Sequence, residues 1–555
     1  MPGEVFRVSR PFPRPYRKEN DMLNEIPRAG QKGYGSAGAS TTKRAVKGFK
    51  AVSGSPREDI DQNNYTLRQR GRLMYMGAPI ATSAIKTSRT NTIGLGLKLN
   101  PRPDMDFLGL TAEESAEWVK TVKREFGLWA LRRDACDATG LNNFYEMQQM
   151  LMSSWLMSGD VFTLVQSAEP TFNKPYSLRL RAVEADRVAT PTACNMSFYT
   201  NETAGRNPDN GNLIYDGVEI DPSGMAVAYW IRNTYPFEIT TEPTVFKRVE
   251  AFGELTGQPN IIQIIATERP DQYRGVTFLA PVIQQLLQIS RYTEAEITAA
   301  LIESYFTAFI TTNMDASENP LNEVGAGYPE QQASYDPNEY EMGPGQINVM
   351  NPGEGVTFGD PKRPASGFTG FVDAIATQVG AALEIPKDLL MKAFNASYSA
   401  SRGALLEAWK SFNMYRTWFV NDFCNPVYEL WMTEAVARGR INAPGYFNDP
   451  AIKAAWLGAQ WIGPSQGMLD PTKEIQAEQM ACENGFSTRA DSALRLNGSD
   501  YDSNMDELIR EQAKINDLMN EINPTEEKEP ETLEQQMVNL LRDIKRNQVT
   551  FSQQN

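Results

Sequence analysis

The chain has 555 residues, 41% hydrophobic and 22% charged, the balance of a soluble globular protein of about three to four compact units rather than a fibrous or disordered one. It contains no histidine, which excludes Ser–His and Cys–His catalysis and every His-bearing metal site. Its net charge of −15 is uneven: residues 1–102 carry 19 Lys or Arg against 7 Asp or Glu, leaving 35 basic and 62 acidic residues beyond, a bias that argues against tight wrapping of DNA by the main body.

In chain order, residues 1–60 are rich in Gly, Ser, Pro and basic residues and read as a flexible arm. Within it, Arg10-Pro-Phe-Pro-Arg-Pro-Tyr-Arg17 is polyproline-like and lacks the apolar core of a secretion signal. A helix is expected over 61–88, with Leu67, Leu73, Met74, Ile80 and Ile85 as its apolar positions and Pro79 interrupting it. Asn91–Leu99 alternates apolar residues and predicts a strand. Two helices follow, one opened by the capping-box match Thr111-Ala-Glu-Glu114 and one from Leu141 to about Ser158. Strands are expected at Gly159–Val165, Arg179–Glu184, Gly217–Ile220 and Ala226–Ile231, with Asp221-Pro-Ser-Gly224 turning between the last two.

A long helix over 278–310 carries the stripe Val282, Leu286, Ile289, Ile297, Leu301 and Tyr305. Residues 311–365 are turn-rich, with a short strand at Ile347–Met350 and a turn at Asn351–Gly355. A second helix runs from Phe368 to about Leu383 and ends at Ile385-Pro386. After the loop 386–398 comes a long helix whose face holds Leu405, Trp409, Phe412, Phe419, Phe423, Val427 and Leu430, bent at Pro426 and capped by Ser397, Ser399 and Ser401. Two more helices are marked by Glu474, Gln476, Glu478 and Gln479, and by Leu508, Ile515 and Leu518. An acidic tail follows with one weak helix, Leu533–Lys545.

No motif of enzymatic chemistry is complete. Gly33-Tyr-Gly-Ser-Ala-Gly38 has phosphate-loop glycine spacing, but Ala39 stands where lysine is required. Gly94 and Gly96 lack the third glycine of a dinucleotide fingerprint. The pairs Asp59/Asp61, Asp104/Asp106 and Asp500/Asp502 offer two carboxylates each with no third ligand at a suitable spacing. Cys136, Cys194, Cys424 and Cys482 are scattered and read as free thiols. No cofactor and no metal are expected, and no run of about 18 apolar residues predicts a membrane span.

Three blocks carry a family resemblance: Arg274-Gly-Val-Thr-Phe-Leu-Ala-Pro281; Ser397-Tyr-Ser-Ala-Ser-Arg402 followed by Leu405-Leu-Glu-Ala-Trp409; and Trp461-Ile-Gly-Pro464 with Asp470-Pro-Thr-Lys-Glu-Ile-Gln-Ala477, running on to Asn484–Thr488. In this order they resemble lambda-type bacteriophage portal proteins. The resemblance implies an α+β portal fold: a wing over 61–270, stem helices over 271–310 and 366–385 around a clip at 311–365, a channel loop at 386–398, a bent helix and wing return over 399–470, a helical crown at 471–520 and an acidic tail at 521–555. It also implies a ring of about twelve copies at one capsid vertex, assembled in the host cytoplasm. The ring would pass double-stranded DNA and dock terminase, head–tail connector, major capsid and scaffold proteins, with no catalysis. By position Lys387, Asp388, Lys392 and Asn395 are candidates to face DNA, or simply water. Arg402, Trp409, Trp418 and Trp431 are candidates for packing between copies, or, for the tryptophans, core of one chain. Two other readings are a packaging nuclease or ATPase and a scaffold or shell protein.

Overall fold

Some helix starts follow from side chains that satisfy free backbone N–H groups, those at Asp104, Thr111, Asn143, Asp449, Asp470 and Thr488 among them. The computed structural model describes residues 38–194, 204–304, 308–312, 354–358, 367–394, 397–468 and 470–522. The chain divides into two units, residues 1–55 and 56–555. In the first, residues 38–55 form turns, with Ser40 Oγ accepting from Lys43 N at 3.1 Å.

In the second, a π turn at Arg57–Asp61 leads into α1 (Gln62–Gly77), and α2 (Pro79–Thr92) follows. Pro79 does not interrupt one helix, as expected over 61–88. It opens a new one, in the first turn, where its missing donor is no loss. β1 (Lys98–Pro101) and the short α3 (Met105–Leu108) come next. The strand expected over Asn91–Leu99 therefore shrinks to Lys98 and Leu99. The reason is that α2 runs to Thr92, and Gly94 and Gly96 sit at positive φ, turning the chain where a strand would need extended backbone.

α4 (Ala112–Ala130), α5 (Arg133–Cys136) and α6 (Phe144–Ser158) follow. Thr111 Oγ1 accepts from Glu114 N at 3.2 Å while Glu114 Oε2 accepts from Thr111 N at 2.9 Å, so the expected capping box closes. Asn143 and Glu146 form a second box, which starts α6 three residues later than expected.

The strands are β2 (Asp160–Ser167), β3 (Leu178–Glu184), β4 (Ala204–Arg206), β5 (Leu213–Tyr215), β6 (Val218–Ile220), β7 (Ala226–Arg232), β8 (Phe246–Glu250) and β9 (Ile261–Ile265). They build two antiparallel sheets, ordered β3–β2–β9 and β4–β5–β6–β7–β8. The expected turn at Asp221–Gly224 joins β6 to β7. Asp221 Oδ1 accepts from Ser223 N and Met225 N at 2.8 and 2.9 Å, and Gly224 supplies the positive φ. The two sheets share a core of Phe162, Val183, Val218, Tyr229 and Ile231.

The remaining elements are α7 (Ile283–Ser304), β10 (Ala308–Thr312), β11 (Glu354–Phe358), α8 (Phe368–Ala382), α9 (Lys387–Met391), α10 (Tyr398–Phe419), a π turn (Val420–Cys424), α11 (Asn425–Ala437), α12 (Pro450–Trp456), β12 (Ala459–Ile462), α13 (Pro471–Glu483), α14 (Arg489–Asn497) and α15 (Tyr501–Ile522). β10 pairs with β11 and β12 returns to pair with β1, both antiparallel. The turn expected at Asn351–Gly355 gives way in part to β11, which takes Glu354 and Gly355. Tyr305, Ile347–Met350, Asn395 and Leu533–Lys545 lie outside the described residues.

The main core is aromatic. Phe126 meets Trp431 edge to face at 5.0 Å and Phe144 at 5.6 Å, and Trp129, Tyr428 and Trp461 close around it. Two of these indole N–H groups are satisfied, Trp129 by Leu178 O at 2.9 Å and Trp461 by Asn425 Oδ1 at 2.8 Å, whereas Trp431 Nε1 is buried with no acceptor among the described residues. Trp431 lies inside this cluster, and Trp409 is buried in a smaller one with Ala408 and Phe412. Both were candidates for packing between copies. Their surface is already covered by their own chain, so they are core, whereas Trp418 is half-buried.

Candidate channel loop and assembly surfaces

α7 and α8 pack side by side through Tyr292, whose ring lies 5.5 Å from Phe368 and 4.8 Å from Phe371. The expected stripe on α7 splits in two. Val282, Leu286 and Ile289 are buried at its base, while Ile297 and Leu301 are 65% and 56% exposed. Ile297 is thus an apolar residue that stands in the open on the outer half of the helix.

The loop after α8 turns sharply, with Glu384 and Lys392 both at positive φ. Lys387 pairs with Asp373 of α8 at 3.4 Å, and Lys392 Nζ donates to Thr87 Oγ1 of α2 at 3.0 Å. Ser83 Oγ donates to Leu390 O at 2.6 Å, and Leu390 is buried. Asp388 stands in the first turn of α9, half-buried. Three of the four candidate DNA-facing residues are thus held together here, two of them tied to neighbouring helices, and Asn395 is outside the described residues. Beside them, α8, the loop and α10 enclose a cleft of about 600 Å³ lined by Glu384, Lys387, Glu407 and Lys410.

Where the long helix was expected to bend at Pro426, five residues, Val420–Cys424, form a π turn, and Pro426 sits in the first turn of α11. Proline cannot donate to the carbonyl four residues back and its ring crowds it; the wider turn before it relieves that conflict. Asp422 in this turn accepts from Ile265 N at 3.3 Å, and burial pushes its carboxyl up to about 6. Ser397 holds the N-cap position of α10 with extended backbone, but its side chain makes no capping bond, so the expected serine cap is absent at that residue. Arg402 pairs with Glu474 of α13 and is half-exposed. Arg416 was not singled out from sequence. It donates to Thr92 O, Asn91 O and Pro464 O at 2.9 Å each and lies 5.5 Å from the Trp409 ring, tying α10 to α2 and to the segment after β12.

A buried charge cluster also escaped the sequence reading. Arg274, with no exposed side chain, donates to Asp160 Oδ2 and Oδ1 at 2.6 and 3.2 Å, and pairs with Asp216 at 2.9 Å. Its other N–H groups reach Val188 O and Ala185 O at 2.9 Å each. Arg68 of α1 reaches Asp216 at 2.7 Å. Burial opposes charge on Arg274, yet Asp160 and Asp216 outweigh it and raise its pKa. Burial likewise pushes Asp160 up, but Arg274 and Arg68 bring it below its ordinary value. Asp61 is the odd carboxyl. Burial first, then Asp216, push it up to about 7 despite the two arginines. The cluster joins α1, β2, the β5–β6 turn and the 274–277 segment. Gly275 fits there only without a side chain, because a Cβ would stand 1.8 Å from Gly159 O. The sequence signal is a polar stripe on α1: Asp61, Asn64, Arg68 and Gly71, at helical spacing, are all buried.

The acidic pairs are occupied by other work. Asp59 pairs with Arg269 at 2.6 Å, Asp104 caps α3 through Phe107 N at 3.1 Å, and Asp500 holds Lys123 at 2.9 Å. Among the described residues no group of three or more His, Cys, Asp or Glu is placed to hold a metal ion, and no helix is long and apolar enough to cross a membrane. All four cysteines are free, and Cys482 is only half-buried.

The family model of phage portal protein, lambda family, matches residues 42–416. The chain is 23% identical to the portal protein of Escherichia phage N15, over 78% of this chain and 81% of that one, and 22% identical to portal protein B of Escherichia phage lambda, over 78% and 80%. A probable portal protein of Halomonas phage phiHAP-1 is 24% identical over 80% and 79%. Among solved structures, the neck of a native gene transfer agent particle covers 79% of this chain and 94% of its own at 13% identity, with a TM-score of 0.38. With a match spanning well over half its length, the chain belongs to the lambda family of phage portal proteins.

Proposed function

We propose that copies of this chain close into a ring at one capsid vertex and form the passage for the genome during packaging and ejection. The observation that carries this reading is the portal-family match over residues 42–416, and the exposed Ile297 on the outer half of α7 supports it. Head-to-tail contact between copies would cover Ile297, and such heterologous contacts generate a ring when the rotation closes. In this reading α7 and α8 are the stem, residues 311–365 the clip that meets terminase and connector proteins, and α13–α15 the crown. About twelve copies fit the resemblance. Lys387 and Asp388 sit on the loop that would face the channel, where the absence of a dense cationic surface suits weak adhesion to moving DNA. Capsid and scaffold proteins are partners of the same vertex, and the ring is a virion component with no turnover of its own.

Negative-stain images of purified protein test this directly. Rings with an axial hole are the expected result; monodisperse monomer at high concentration overturns it. Magnesium-dependent nuclease and ATPase assays test the catalytic alternative and are expected to give no activity, while closed shells in place of rings would favour a shell protein.

A further inference from the structure

The two sheets that share the smaller core come apart at one end. There β2, β3, β7 and β8 line a cleft of about 510 Å³. Pairing register sets Arg181 opposite Leu164 and Lys247 opposite Ile231. Facing partners share a side of their sheet, so these cations continue the faces that hold Phe162 and Val183 on one sheet and Tyr229 and Val249 on the other. The apolar layer ends, and two exposed cations stand where the next inward residues would be.

Arg187, Arg232 and Arg248 complete a lining in which Glu250 is the sole acidic residue. Arg248 is engaged by Glu219 at 2.9 Å and Glu250 at 3.4 Å. Arg187 Nε donates to Arg232 O at 3.1 Å, Arg232 lies 5.9 Å from the Phe246 ring, and Arg232 Nε is buried with no acceptor. Among the described residues, no carboxylate lies within ion-pair distance of Arg181, Arg187, Arg232 or Lys247. Four cations therefore share a lining whose one carboxylate, Glu250, is engaged by Arg248, and this happens in a chain whose body is otherwise strongly acidic.

We propose that this cleft binds an acidic, extended segment of a protein partner, whose carboxylates meet Arg181 and Lys247. β8 is the last strand of its sheet, so one side of its backbone has no strand partner among the described residues, and it runs along the cleft. A peptide can pair with that edge and present alternate side chains to the cations; a nucleic acid cannot. Carboxylates would supply charge-assisted bonds that salt weakens at so open a site.

The test is fluorescence anisotropy of a labelled oligo-glutamate peptide with the full-length protein, at low and high salt, with a short DNA duplex as competitor. The wild type is expected to bind, with affinity falling as salt rises. The double variant Arg181→Ser with Lys247→Ser is expected to lose about fivefold or more while keeping its unfolding midpoint, since both side chains are exposed. Lys86→Ser, which removes an exposed cation on α2, is expected to change nothing. Undiminished binding by the double variant, equal loss in Lys86→Ser, or a duplex that displaces the peptide more strongly than free peptide does would each overturn the proposal.

Discussion

The aromatic core around Phe126 and the outer parts of α7 and α15 solve opposite problems with the same residue types. In the core, Phe126, Trp129, Phe144 and Trp431 are sealed by their own chain. On α7, Ile297 and Leu301 are not, and α15 leaves Leu508, Ile509, Ile515, Leu518 and Met519 exposed along its length. Folding and assembly are therefore separable in this chain: one set of apolar residues stabilises the subunit, the other is available for contacts between subunits.

The largest effects should come from within the subunit. Trp431→Ala removes a fully buried indole and is expected to cost about 3–5 kcal/mol in urea unfolding. Arg274→Ala strands Asp160 and Asp216 without their counter-charge and should cost a similar about 3–5 kcal/mol, with the additional signature of lost protection in α1 amides by hydrogen exchange. A pH dependence follows from Asp61. Its carboxyl is raised in the fold from 3.8 to about 7, so its stabilising contribution is complete below pH 3.8 and falls away as pH rises through 7. Asp61→Asn stays neutral throughout. It is expected to match the wild type near pH 4 and to exceed it above pH 7, by at most about 4 kcal/mol at about 1.4 kcal/mol per unit; a gain equal at both ends would remove Asp61 as the cause.

Outside the core the expectation reverses. Ile297→Glu with Leu301→Glu should change unfolding by no more than about 0.5 kcal/mol but abolish rings in micrographs. Rings of normal yield would mean that this stripe is not between copies. Arg402→Glu is also small in stability, about 1 kcal/mol or less because its pair with Glu474 is half-exposed. A lower ring yield is expected, and normal yield would place that junction outside the interface.

What sequence could reveal depended on how local the cause was. The Thr111 box and the Asp221–Gly224 turn are set by residues within a few positions of each other, and both formed where their patterns stood, whereas the α7 stripe is buried only at its base. The polar stripe of α1 gave the opposite impression, because burying Asp61, Asn64 and Arg68 makes sense only once Asp160, Asp216 and Arg274 arrive from distant segments. The same holds for Lys392, which looks like a free loop cation until Thr87 is seen beside it. The tryptophans at 409 and 431 were ambiguous for a different reason: a helical stripe states that a face is covered, not by which chain.

The π turn at Val420–Cys424 has a bearing on how the long helix can vary. It inserts one residue into a helical repeat, which advances everything after it by about 100°. Before it Trp409, Phe412 and Phe419 are buried; after it Val427 and Leu430 continue that line while Tyr428, Trp431 and Ala435 are buried beside them, so the covered face widens across the turn. Deleting any single residue between 420 and 424 would rotate the following turns back by about 100° and swing Trp431 out of the ring of aromatics, so this short stretch fixes the phase between the part of the helix that leaves the loop and the part that anchors it.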